Sequence, residues 1–105
     1  MKHEQMKSFL IAQTQTVVEA MQKIDANARG ILFVTYHEER LAGVVTDGDI
    51  RRWLIKTGDL KGTVRQIMNK NPKVVYYKEI KSAKDFMVKY SITALPVVTA
   101  QNQVK

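Results

Sequence analysis

The most informative part of the sequence is a ten-residue stretch near its middle, Gly43-Val44-Val45-Thr46-Asp47-Gly48-Asp49-Ile50-Arg51-Arg52. The β-branched residues at its beginning predict a buried strand over 41–45. Thr46 and the acidic residues after it predict the start of a helix. Ile50, Trp53 and Leu54 would share one face of that helix. The stretch therefore joins the end of a strand to the beginning of a helix.

The residues before this stretch predict a helix and a further strand. Thr16 and Glu19 have the spacing of a capping box, in which a hydroxyl and a carboxylate bind backbone N–H groups at a helix start. Apolar residues follow at helical spacing, namely Val17, Ala20, Met21 and Ile24. Gly30 can end this helix in a left-handed turn. Residues 31–36 form an apolar run that predicts a strand, and a polar turn at 37–40 leads into the next one.

The residues after position 62 repeat this order. Thr63 and Gln66 form another capping box, and Asn71-Pro72 breaks the chain. Strands are predicted over 74–77 and 94–99, and a helical spacing lies between them at Ile80, Ala83, Met87 and Tyr90. A shift of 63 residues aligns the two halves without a gap: Val17 with Ile80, Ala20 with Ala83, Ile24 with Met87, Leu32 with Leu95, Val34 with Val97, and Leu41 with Val104.

The repeat predicts two structural units, residues 1–62 and residues 63–105. Such a unit pairs with its copy because neither buries its apolar face alone. The second unit stops before the equivalent of Gly43, which leaves its last strand and helix out of this sequence. We expect the chain to be a fragment of a longer protein. The alternatives are that another chain, or the N-terminal arm, completes the second unit.

Composition and charge limit the classes of function. The chain has 105 residues, 45% of them apolar, and no cysteine, which fits the cytoplasm. It has no apolar run of 18 residues and no secretory signal, so we expect no membrane contact. The net charge is +7, and residues 51–90 hold 11 basic residues against 3 acidic ones. That half could attract a nucleotide, a nucleic acid or an acidic surface; the alternative is an ordinary solvated surface.

Residues 43–52 resemble the signature of CBS domains, which are named after cystathionine β-synthase. The stretch Ile92-Thr93-Ala94-Leu95-Pro96-Val97-Val98 resembles it too, and residues 67–72 add to the likeness. The resemblance covers about residues 8–105. It implies an α/β (α+β) fold of tandem β-α-β-β-α units related by a pseudo-twofold axis, with the second unit incomplete. CBS pairs often bind AMP, ADP, ATP or S-adenosylmethionine between their units, and regulate an attached enzyme, channel or transporter.

The resemblance also suggests a parent enzyme. Residues 30–34 and 47–53 are similar to the CBS pair at the front of some bacterial sugar-nucleotidyltransferases, and we expect such a parent. Sugar-phosphate isomerases of the arabinose-5-phosphate type carry a similar pair and are the alternative. The sequence itself contains no nucleophile with a matching base and no metal-ligand spacing, so we expect neither catalysis, a metal nor a required cofactor. We expect a homodimer, since the helix after Thr46 carries dimer contacts in the family.

The candidate ligand site is the turn after the second predicted strand. A helix start attracts phosphate because its N–H groups are unpaired. There Thr46 can bind a phosphate oxygen, Asp49 can accept hydrogen bonds from a ribose diol, and Gly48 allows close approach. In the resembled family the residues matching Thr46 and Asp49 have these roles. The full candidate set is Thr14, Gly30, Ile31, Thr46, Asp47, Gly48, Asp49, Arg51 and Arg52.

The members of this set have different expected roles. The resemblance places the adenine near Gly30, Ile31 and Thr14, and an arginine at 51 or 52 could add a phosphate contact. Core packing is the alternative for Ile31, and a plain helix cap is the alternative for Thr46 and Asp49. The second unit lacks the Thr-x-x-Asp pattern, so its cleft is expected to be empty.

The sequence supports three functions, in descending order. The first is a regulatory module that senses an adenine nucleotide, and the second is a ligand-free dimerisation module. The third, a nucleic-acid binder, is disfavoured because aromatic residues are not interleaved with the basic ones.

Overall fold

The protein is described by a computed structural model that covers residues 7–76, 96–99 and 101–104. Its strands are β1 (Leu10–Ala12), β2 (Ile31–Tyr36), β3 (Arg40–Thr46), β4 (Val75–Tyr76) and β5 (Val97–Val98). Its α-helices are α1 (Val17–Asn27), α2 (Asp47–Thr57) and the short α3 (Val64–Ile67), and a 3-10 turn at His37–Glu39 joins β2 to β3. The first half thus has the order β-α-β-β-α that the resemblance implied.

The first three strands form one sheet in the order β1-β2-β3. β1 is parallel to β2, with Leu10 opposite Phe33, and β2 is antiparallel to β3, with Ile31 opposite Thr46. The sequence pattern did not locate β1 because three residues are too few to show a periodicity. This strand is nevertheless held firmly. Lys23 Nζ donates to the Leu10 carbonyl oxygen at 2.5 Å, which fixes the strand to α1.

The sheet buries apolar side chains on both faces. One face packs against the helices, and its cluster consists of Ile11, Val17, Ala20, Ile24, Leu32, Val34, Val45, Ile50 and Val64. The other face packs against the second half of the chain, and its cluster consists of Leu10, Ile31, Phe33, Leu41, Val44, Val98 and Val104. Because neighbouring residues in a strand point to opposite faces, β2 contributes alternately to both clusters.

The described parts of the second half repeat the strand pairing of the first. β4 is parallel to β5, as β1 is to β2. Val98 pairs with Val104. The equivalent residues 63 positions earlier, Thr35 and Leu41, pair in the same way. The equivalences predicted for Ile80, Ala83, Met87 and Leu95 lie outside the described residues, and the boundary between 62 and 63 stays a prediction.

A pseudo-twofold axis relates the two halves and passes between Arg40 and Gln103. These two residues are equivalent in the repeat, and they pair with each other. The Leu41 N–H donates to the Asn102 carbonyl oxygen at 2.8 Å, and the Val104 N–H donates to the Glu39 carbonyl oxygen at 3.0 Å. Leu41 and Val104 are equivalent, as are Glu39 and Asn102. A twofold rotation that exchanges the two halves therefore converts each of these hydrogen bonds into the other. The 63-residue shift in the sequence could not by itself show this symmetry.

The turn before β3 contains backbone strain that a substitution can relieve. Glu38 and Glu39 both have left-handed φ angles, 57° and 58°, a conformation that costs a residue with a side chain about 1–2 kcal/mol. We expect Glu39→Gly to raise the free energy of unfolding by about 0.5–1 kcal/mol, because glycine adopts this conformation freely but loses more chain entropy. Urea denaturation would measure the change. Glu39→Gln is the control, since it removes the charge and keeps the strain, and an equal gain from it would contradict the explanation.

Candidate functional site

Four of the predicted site residues meet at one end of the sheet. Thr46 ends β3 and is the N-cap of α2, and Ile31 lies opposite it in β2. The Asp47 N–H donates to the Gly30 carbonyl oxygen at 3.0 Å. Gly30 has a left-handed φ of 71°, which lets the chain turn from α1 into β2 at this point. The loop before β2 and the start of α2 are therefore held side by side.

Thr46 and Asp49 bind each other as a capping box. The Asp49 N–H donates to Thr46 Oγ1 at 3.2 Å, and Asp49 Oδ2 accepts from the Thr46 N–H at 2.9 Å and from Thr46 Oγ1 at 3.0 Å. This is the helix-cap alternative recognised in the sequence, and the structure contains it. A ligand phosphate that accepts a hydrogen bond from the Thr46 hydroxyl would have to replace Asp49 as the acceptor.

The same arrangement occurs at the start of α1, far from the candidate site. Thr16 Oγ1 accepts from the Glu19 N–H at 3.2 Å, and Glu19 Oε1 accepts from the Thr16 N–H and hydroxyl at 3.1 Å. A hydrogen bond from the Gln15 side chain, together with those from Thr16, lowers the pKa of Glu19. The capping geometry by itself therefore does not indicate a ligand site. What differs at Asp49 is the side chain that binds it besides the cap residue.

Besides Thr46, Asp49 binds Arg52. Its Nη2 lies 2.8 Å from Asp49 Oδ1, and the Arg52 side chain is 70% exposed while that of Asp49 is 20% exposed. The guanidinium group also lies against Gly48: a Cβ atom at position 48 would be 3.0 Å from Arg52 Nη1. Gly48 thus gives close access to the helix start, but in this structure it is the protein's own cation that occupies the space.

Arg51 lies on a different surface from Arg52. It lines an open cleft of about 820 Å³ between α1 and α2, whose lining residues are Met21, Ile24, Asp25, Ala28, Gly30, Asp47, Ile50, Arg51, Leu54 and Ile55. Thr46, Gly48 and Asp49 are not part of this lining. The candidate residues therefore divide into two neighbouring groups, which Gly30 and Asp47 connect.

The structure does not bring Thr14 together with the other candidate residues. The Gln13 N–H donates to the Thr35 carbonyl oxygen at 3.0 Å, so the chain before α1 runs past the far end of β2. Because Ile31 begins β2 and Tyr36 ends it, Thr14 and Thr46 lie at opposite ends of the sheet. The parallel strand β1 is what separates Thr14 from Thr46, and the role of Thr14 at the adenine stays a prediction.

A residue that does lie on the same sheet face as Ile31 is Phe9, which the sequence analysis did not single out. Its carbonyl oxygen accepts from the Phe33 N–H at 2.6 Å, and the two phenyl rings are stacked with centroids 6.2 Å apart. Both rings lie on the sheet face that meets the second half of the chain, as does Ile31, which is 8% exposed. The apolar run Phe9-Leu10-Ile11 was the available signal.

The described ranges contain neither a metal-binding group of side chains nor a membrane-spanning helix. Residues 7–76, 96–99 and 101–104 contain no group of three or more His, Cys, Asp or Glu residues that could hold a metal ion. In this same part of the chain, no helix has the length and apolar character needed to cross a membrane.

Comparison with known proteins identifies the family. Residues 6–56 match the family model of the CBS domain, and the chain belongs to this family. The fold of the two halves together is that of the CBS domain pair. One solved pair, that of protein MJ0100 in complex with 5′-methylthioadenosine and S-adenosyl-L-methionine, has a TM-score of 0.74 at 24% identity, covering 91% of this chain and 79% of that one.

Two other solved structures show the same fold. CBSX2 in complex with AMP has a TM-score of 0.72 at 23% identity, covering 90% of this chain and 76% of that one. Staphylococcus aureus OpuCA has a TM-score of 0.76 at 18% identity, covering 92% of this chain and 80% of that one.

The curated relatives are sugar-phosphate isomerases. Arabinose 5-phosphate isomerase GutQ of Escherichia coli K12 is 34% identical over 89 residues, which are 84% of this chain and 28% of the relative. Arabinose 5-phosphate isomerase KpsF of Escherichia coli O6:H1 is 33% identical over 106 residues, 99% of this chain and 32% of the relative. The chain thus spans about a third of the length of these enzymes. The expectation of a nucleotidyltransferase parent is not supported, since these relatives belong to the alternative class.

Proposed function

We propose that the chain is a regulatory module that binds an adenine nucleotide at Thr46 and Asp49 and belongs to a longer sugar-phosphate isomerase. The observation that carries this proposal is the junction of β3 and α2. There a hydroxyl and a carboxylate lie 3.0 Å apart at the first turn of a helix, beside Ile31 at the start of the neighbouring strand and Gly30 just before it. These groups match the phosphate and the ribose of a nucleotide.

The apolar surface next to this junction suits the adenine. Ile31 lies opposite Thr46, and Phe9 and Phe33 continue the same sheet face. An aromatic and aliphatic surface beside a few polar groups is typical of small-molecule sites. The ligands in the MJ0100 and CBSX2 complexes contain adenosine, and they support the choice of this ligand class for the present chain.

The location and the role of the module follow from its proposed parent. Similarity to GutQ and KpsF supports an isomerase that interconverts sugar phosphates, with catalytic groups outside the present chain. A nucleotide would regulate that enzyme only to the extent that it binds one of its conformations more tightly than the other. We place the enzyme in the cytoplasm, where adenine nucleotides are available at high concentration.

Isothermal titration calorimetry of the chain with AMP, ATP and S-adenosylmethionine tests the ligand. We expect saturable heat with at least one of them and a matching rise in the melting temperature, because a ligand that binds only the folded state stabilises it. No heat and no thermal shift with any of the three would overturn the nucleotide proposal.

A second candidate function is a dimerisation module with an empty cleft. The capping box favours it, because Thr46 and Asp49 already satisfy each other. The exposed apolar side chains of Met21 and Ile55, 40% and 80% exposed, lie at the cleft between α1 and α2 and offer a contact surface for a second copy. Sedimentation that shows a dimer, together with failure of all three ligands, would favour this function over nucleotide sensing.

A further inference from the structure

We propose that Arg52 makes the site selective for nucleotides that carry a phosphate group, because it exchanges Asp49 for that phosphate when the ligand binds. This inference rests on the proposed function, since it concerns the same site. It goes further in that it excludes uncharged nucleosides as good ligands.

The first step concerns the capacity of the Asp49 carboxylate. A carboxylate accepts about four hydrogen bonds, two on each oxygen. Oδ2 already accepts two, both from Thr46, and Oδ1 accepts one from Arg52. A ribose diol that donates two hydrogen bonds to Oδ1 therefore needs the position that Arg52 occupies. Two hydrogen bonds from the sugar to Oδ1 and the Arg52–Asp49 ion pair therefore exclude each other.

The second step concerns which of these partners can leave. The Thr46 bonds belong to the cap of α2, so their loss would weaken the helix start. Arg52 has a long side chain that is 70% exposed, and it can move without disturbing any buried group. Asp49 is only 20% exposed, so a sugar that displaced Arg52 would face a partly desolvated carboxylate. Arg52 is therefore the partner that the ligand displaces.

The third step concerns the new partner of Arg52. Its guanidinium group reaches back to the first turn of α2, since it contacts Asp49 and lies against Gly48. A phosphate held at this helix start would lie beside the displaced guanidinium, which can bind it through two parallel hydrogen bonds. A nucleoside without a phosphate would break the ion pair and would provide no new partner for Arg52.

Calorimetry with AMP and with adenosine tests the exchange, because the two ligands differ only in the phosphate. We expect the native chain to bind AMP about a hundredfold more tightly than adenosine. In Arg52→Ala, AMP binding should weaken about tenfold and adenosine binding should tighten about threefold, because Asp49 is then free. The ratio of the two dissociation constants is the readout, and a purely structural role of Arg52 would not change it.

Two further variants complete the experiment. Lys56→Ala removes one positive charge from the same helix and should leave the ratio unchanged. Gly48→Ala places a Cβ atom 3.0 Å from Arg52 Nη1 and should shift the ratio in the same direction as Arg52→Ala. AMP binding with an unaltered ratio in Arg52→Ala overturns the exchange and leaves the proposed function intact. Absence of heat with AMP, ATP and S-adenosylmethionine on the native chain overturns the proposed function, and the exchange with it.

Discussion

Asp49→Ala is expected to abolish detectable binding of an adenine nucleotide to this chain. The substitution removes the carboxylate oxygen Oδ1 that would hold the ribose, and it also removes the ion-pair partner of Arg52. Hydrogen bonds to a charged group contribute about 1.5–3 kcal/mol each. Loss of two such bonds to the ribose would weaken a micromolar complex by a factor of about a hundred or more, beyond the range of a standard titration. Calorimetry with the nucleotide that binds the native chain measures the effect.

The control for this variant lies in the same chain. Asp49→Ala also destroys a capping box, so some loss of stability is expected, about 1 kcal/mol. Glu19→Ala destroys the equivalent capping box of α1, which lies away from the site. We expect Glu19→Ala to lower the melting temperature to a similar extent and to keep nucleotide binding. Equal loss of binding in both variants, or normal binding by Asp49→Ala, would contradict the ribose role.

Regular features of the fold were predictable because local signals and tertiary packing agree. The capping boxes at Thr16 and Thr46 start helices where the pattern placed them, and β2 and β3 occupy the predicted apolar runs. The 63-residue repeat, inferred from apolar positions alone, appears in the pairing of Val98 with Val104. In these places, propensity, periodicity and burial all favour the same structure.

The features that were missed depend on distant contacts. Three residues of β1 carry no period, so only the parallel pairing with β2 shows that Phe9 lies near Ile31 and that Thr14 does not. The Asp49–Arg52 pair is different, since the i,i+3 spacing on a helix allows it. Such exposed pairs are common and weak, so the spacing alone did not single this one out.

The sequence predicted where β3 joins α2, but it did not predict which hydrogen bonds Thr46 and Asp49 make there. The turn at residues 46–49 joins β3 to α2 as expected, yet the geometry around Thr46 resembles that around Thr16, where no ligand is proposed. The proposal of a ligand site at Thr46 therefore rests on the surroundings: a glycine at position 48, an exposed guanidinium, and an apolar strand face beside them.

The structural substitution with the largest expected effect is Gly43→Ala, in the middle of β3. Gly43 is buried, and a Cβ atom there would overlap the Asn69 carbonyl oxygen and lie 3.1 Å from Met68 Sδ. The segment at 68–69 would have to move away from β3, which breaks the two hydrogen bonds between Val44 and Asn69, of 2.8 and 3.1 Å. We expect a loss of about 3 kcal/mol, because overpacking costs about 1–3 kcal/mol and each hydrogen bond about 1 kcal/mol.

Urea denaturation of Gly43→Ala measures this loss, and Gly58→Ala provides the comparison. Gly58 ends α2 with a φ of 64°, and a Cβ atom added to it would have no neighbouring atom within 4 Å, so alanine there suffers backbone strain alone, about 1 kcal/mol. The difference between the two variants isolates the contact between β3 and the segment that leads into the second half. If Gly43→Ala unfolds at the same urea concentration as Gly58→Ala, then Asn69 does not pack on β3 as described, and the connection between the halves is looser than the pairing of Val44 indicates.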